Sequence, residues 1–102
     1  MSEFTHLAML KWRSDVQPHQ ISAAIEAIEA LRHQIPVIRS LRIEHDTGEV
    51  SSANYDIALF VSFAETADVA RFLEHPAHRA LVRDHISVVK ETSAVIQYLS
   101  ST

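Results

Sequence analysis

"YDIALFVSF", residues Tyr55 to Phe63, decides the fold. Tyr55, Ile57, Leu59, Val61 and Phe63 fall on one face of an extended chain; Asp56, Ala58, Phe60 and Ser62 fall on the other. Alternation of this kind, rich in β-branched and aromatic residues, predicts a strand. Its second face holds Ala58 and Phe60, too apolar for a sheet surface left in water. "THLAMLKWR", Thr5 to Arg13, behaves alike: its faces are His6, Ala8, Leu10, Trp12 and Leu7, Met9, Lys11. Both strands need cover on two sides.

Working outward, Pro18 suits the first position of a helix, where a missing N–H costs nothing. Ile21, Ala24, Ile25, Ile28, Leu31 and Ile35 form one apolar helical face, and Pro36 stops it. Val37 to His45 reads as a second strand, and "DTGEVSSAN" as a loop holding the only glycine. A short helix over Thr66 to Leu73, a longer one from Pro76 to about Glu91, and a strand over Ala94 to Ser100 complete the chain. The order β-α-β-β-α-α-β predicts an α+β, ferredoxin-like protomer: an antiparallel four-stranded sheet with its helices on one face. The other face then needs a cover, and for a short chain the simplest is a second copy of itself. The expected assembly is a homodimer.

The composition narrows the function. A chain of 102 residues makes one domain, 1–102, with one modest core. Hydrophobic residues at 47% and charged residues at 22% describe a folded globular chain. A net charge of −4 offers no footprint for nucleic acid. No cysteine is present, which excludes disulfides and thiolate metal sites. Neither a signal-like leader nor an apolar run of membrane-spanning length is evident, so the expectation is a cytoplasmic protein without membrane contact.

"EHPAHRAL", Glu74 to Leu81, carries two histidines three residues apart across a proline. His75 precedes Pro76 and belongs to the turn before the helix, where its ring packs or hydrogen-bonds locally. His78 shares a helical stripe with Leu81, Val82 and His85 and points inward. The rings therefore diverge, whereas paired zinc-binding histidines use positions i and i+4 of one helix. No metal and no cofactor are expected. An inward imidazole is either a hydrogen-bonded core histidine or a general base. Trp12 and Phe72 read as core or pocket wall, and His6 approaches His78 if its strand face is the helix-facing one.

"HLAMLKW", "IPVIRSLRI", "YDIALFVSF" and above all "FLEHPAHRAL" resemble the stress-responsive A/B barrel domain family over essentially the whole chain. The resemblance implies two ferredoxin-like protomers joining their sheets into a dimeric α+β barrel. It also reaches a plant polyketide cyclase of the olivetolic-acid type, which closes a linear tetraketide by aldol condensation. The resemblance puts that enzyme's catalytic histidine on His78 and a second pocket histidine on His6. Its partner tyrosine falls on Phe72, a pocket histidine on Ile57, and an acid beside the catalytic imidazole on Gln97. Phe72 cannot donate a hydrogen bond, and Gln97 can orient an imidazole without stabilising its cation.

Three functions follow as expectations. One is a protein that binds a small apolar, aromatic or polyketide-like ligand between sheet and helices. His78 would be its base in lyase- or cyclase-type chemistry, and His6, Leu10, Ile28, Ile57, Phe72, Val82 and Gln97 its pocket residues. Another is a non-catalytic, dimeric stress-associated protein with structural histidines. The third is a relative of the cofactor-independent monooxygenases that share this fold.

Overall fold

The computed structural model describes residues 2–101. Strand β1 (Ser2–Trp12) leads to α1 (Pro18–Gln34), β2 (Ser40–His45), β3 (Ile57–Phe63), α2 (Thr66–Glu74) and α3 (Pro76–Leu81). A π-helical turn (Val82–Ile86) and α4 (Ser87–Val89) continue α3 before β4 (Lys90–Ser101). Helix α1 begins at Pro18, as the sequence predicts. The Gln20 side chain accepts the backbone N–H of Gln17 at 2.9 Å, satisfying one donor that the helix start leaves free. Its Ala24, Ile28 and Leu31 are buried.

The sheet order is β2-β3-β1-β4, and every neighbouring pair is antiparallel. Register places His6 between Val61 and Gln97, Ala8 between Leu59 and Val95, and Leu10 between Ile57 and Ser93. This face meets the helices, where Ile28, Leu31, Val61, Phe63, Phe72, Leu81 and Ile86 form one core. The architecture is the α+β, ferredoxin-like one that the element order predicts. Across the opposite face run the rows Arg42, Phe60, Leu7, Ile96 and Glu44, Ala58, Met9, Ala94. The Arg42 guanidinium lies 4.1 Å from the centre of the Phe60 ring and shields only part of this apolar strip. On edge strand β4, Val95, Ile96 and Leu99 are 49%, 57% and 54% exposed, so both of its faces present apolar surface.

Several boundaries differ from the sequence reading. Val37 to Arg39 is a turn rather than strand: the Ile38 N–H bonds to the Ile35 carbonyl at 3.2 Å, and pairing starts at Ser40. Val37 and Ile38 still pack on the core, which is why they read as strand. Tyr55 and Asp56 precede β3, and the Asp56 carboxylate accepts the Trp12 N–H at 2.7 Å. The largest departure is the helix from Pro76. A continuous α-helix would turn Val82 and His85 inward with Leu81. The π turn holds one extra residue, so Leu81 and Ile86, five apart, share the buried face. Val82 is left 41% exposed while Ile86 is 9% exposed.

The helical segment ends at Val89, and the residues after it are strand. Lys11 pairs with Thr92, but Trp12 pairs with Lys90, so Glu91 is passed over in a β-bulge. Among the described residues no helix is long and apolar enough to cross a membrane.

The π turn sets the order of two substitutions. Ile86→Ala is expected to cost about 2–5 kcal/mol, as for other buried isoleucines. Val82→Ala is expected to cost less than about 1 kcal/mol, because its side chain stands partly exposed at the cavity rim. Urea denaturation of both variants checks this, and the reverse order would restore the continuous helix.

Candidate functional site

Between the helices and the β1–β4 half of the sheet lies a cavity of about 190 Å³. Apolar cavities of about 150 Å³ accept benzene, so this one has room for a single ring and a short substituent. Leu10, Ile28, Leu31 and Leu59 wall its sheet and α1 side. Phe72, Leu81 and Ile86 wall the other, and the exposed Leu73 and Val82 stand at its rim. His6, His78, Lys90 and Ser93 bring the polar side chains.

Phe72 sits between the two imidazoles. Its ring centre is 4.7 Å from that of His78, 5.7 Å from that of His6 and 5.3 Å from that of Phe63. Burial pushes His6 below its ordinary pKa of 6.5, and the neighbouring His78 pushes it further. Burial also lowers His78, with the Leu73 carbonyl drawing the other way. A buried imidazolium would lack solvation and no carboxylate faces it, so both rings are neutral at pH 7. The Gln97 amide donates to His6 Nδ1 at 2.8 Å, which leaves the ring proton of neutral His6 on Nε2.

His6, Leu10, Ile28, Phe72, His78 and Val82, all named from the sequence, come together around this cavity. Two others do not. Ile57 is buried in the core and borders a different hollow, about 490 Å³ and open to solvent, beside the loop after β2. That hollow is open to solvent and holds no pair of imidazoles, so the smaller cavity is the candidate site. Gln97 stays outside the cavity wall and holds His6, whereas the resemblance puts an acid there beside the catalytic imidazole. His75 caps α3: its Nδ1 accepts the Ala77 N–H at 3.0 Å, the local role the sequence predicts. His85 is turned away from the cavity by the π turn and borders the groove between α1 and α3. Among the described residues, no three His, Asp or Glu side chains converge as a metal site would need.

Ile86, Lys90 and Ser93 escaped the sequence reading. Nothing in the periodicity marks a π turn. Alternation of Ser93, Val95 and Gln97 was available, but a strand begun at Ala94 excludes its first member.

Comparison with known proteins places this geometry. No curated protein matches the chain. A solved protein of unknown function from Bacteroides fragilis NCTC 9343, described as dimeric with a ferredoxin-like fold, is 29% identical over 94% of each chain, with a TM-score of 0.78. A dimeric ferredoxin-like protein of unknown function from Thermobifida fusca YX is 25% identical over 95% of this chain and 90% of that one, with a TM-score of 0.82. The hydroxynitrile lyase from Passiflora edulis shares the fold at a TM-score of 0.85 and 18% identity, covering 97% of this chain and 94% of its own. The family model of the stress responsive A/B barrel domain matches residues 4–100, and the chain belongs to that family.

Proposed function

We propose that the protein is a homodimer that binds a small aromatic or polyketide-like molecule in the sheet–helix cavity and moves a proton on it, with His78 as base. The supporting observation is the placement of two buried imidazoles, His6 and His78, against the same Phe72 ring on one cavity wall. His6 keeps its proton on Nε2, a donor, because Gln97 occupies Nδ1. Burial favours the neutral form of His78, which carries one unprotonated ring nitrogen as an acceptor. A donor and an acceptor in one apolar chamber suit removal of a proton beside a carbonyl. His78 takes the proton, and His6 steadies the oxyanion that forms. Phe72 offers no hydroxyl, so the donor's part falls to His6. The Passiflora lyase shares only the fold.

The homodimer answers the uncovered sheet face. Phe60, Leu7, Ile96, Ala58, Met9 and Ala94 make a strip spanning three strands, on which no helix of this chain packs and which Arg42 covers only at Phe60. A second copy would bury it, and both of the similar ferredoxin-like proteins named above are described as dimeric. Light scattering at micromolar concentration should give twice the chain mass. Phe60→Asp should yield monomer or unfolded chain, because it buries an unpaired charge. A monomeric wild type would sink the dimer.

The chemistry is tested without knowing the substrate. The probe is 1-phenylpropan-2-one in heavy water, with exchange of its benzylic protons followed by NMR. Wild type should exceed free imidazole at the same concentration and pH, and His78→Ala should lose about 10²-fold or more. Phe72→Tyr should accelerate exchange by adding a second donor to the enolate oxygen. If wild type is no faster than imidazole and His78→Ala only lowers stability, by about 1–3 kcal/mol, the histidines are structural and the protein non-catalytic.

Stability should carry the same signature. His6 and His78 titrate below 6.5 when folded and near 6.5 when unfolded, so the unfolded chain binds more protons in between. Stability is therefore full above about pH 6.5, falls as pH drops through that value, and levels off below the folded pKa values. His78→Gln should flatten part of this slope in thermal melts taken between pH 7.5 and pH 5. An unchanged slope would place His78 in water.

A further inference from the structure

We infer that the cavity selects an organic anion, namely an aromatic or conjugated carboxylate whose charged group is held by Lys90 and Ser93 at the end opposite the histidines. This deepens the proposed small-molecule binding and rests on it.

The β-bulge is what puts a cation there. From Ser2 to Lys11 the β1–β4 register is constant, and continuing it would set Glu91 opposite Trp12. The extra residue moves Glu91 out of the ladder and sets Lys90 opposite Trp12, on the edge of the helix-facing side. Lys90 borders the cavity and Glu91 does not. A regular strand would have placed a carboxylate at this mouth. The bulge substitutes an ammonium, and that exchange inverts the charge a ligand meets.

The surroundings agree. Among the described residues, none of the ion pairs includes Lys90. Nearby Arg13 is engaged with Asp15 at 3.3 Å. With both imidazoles neutral, Lys90 is the one cationic side chain on the cavity wall. Ser93 stands opposite Leu10 on the same wall and can donate its hydroxyl to the same anion. Ser93 and Gln97, the residue that holds His6, are four positions apart, a distance of about 13 Å along the strand. A ligand satisfying both ends therefore carries an anionic group, a ring or conjugated body against Phe72 and Leu10, and a polar function facing the imidazoles. Arylpropanoates with a hydroxyl on the ring have that layout.

The experiment compares 3-phenylpropanoate with 3-phenylpropan-1-ol, the same skeleton with and without charge, by titration calorimetry at pH 7.5. Wild type should bind the carboxylate about tenfold or more tighter than the alcohol, and added salt should weaken only the carboxylate. Lys90→Met keeps the aliphatic stem and removes the charge. It should abolish the preference, and an unchanged thermal melt followed by circular dichroism reports that the fold is intact. Equal binding of the two by wild type, or a preference that survives Lys90→Met, overturns the anion assignment but not the cavity. Failure of both compounds to bind overturns the cavity as a ligand site and this inference with it.

Discussion

Strand β1 carries the central constraint of the fold. It hydrogen-bonds along both edges, to β3 and β4, and both of its faces are apolar. One face is satisfied by helices from the same chain, through His6, Ala8 and Leu10. The other, through Leu7 and Met9, has no cover within the protomer. Every later element answers one side or the other of this strand. The helices close the inner side around a cavity, and the outer strip gives the chain a reason to associate.

The inner side was filled incompletely, and what was left open is chemically specific. Replacing His6 and His78 with leucines would make an ordinary core. Keeping imidazoles there costs desolvation, which the fold offsets by favouring their uncharged forms and by giving His6 a hydrogen-bond partner in Gln97. Phe72 between them separates the rings without offering a proton.

Much of this was legible in the sequence. All four strands were found, β1 and β3 by period-two alternation, Pro18 and Pro36 framed α1, and two-sided apolar strands pointed to a missing partner. His78 was read as pointing inward because helix periodicity is rigid over short spans, whereas the face of His6 was left open. What periodicity could not find were the two places where regularity breaks. The π turn moved Val82 out and Ile86 in. The bulge brought Lys90 to the cavity. The role of Gln97 was also missed, because the cross-strand register that brings it to His6 pairs residues 91 positions apart.

Those two irregularities lie within ten residues of each other, between Leu81 and Thr92, and each holds one residue more than a regular helix or ladder requires. A homologue lacking either extra residue could present the same buried faces with a shorter chain. Alignment by residue count would then drift through this segment, pairing a cavity-facing position of one protein with an outward one of another. Equivalence between relatives has to be assigned there by geometry, and a gap placed by letter matching alone would misname the residue that guards the mouth.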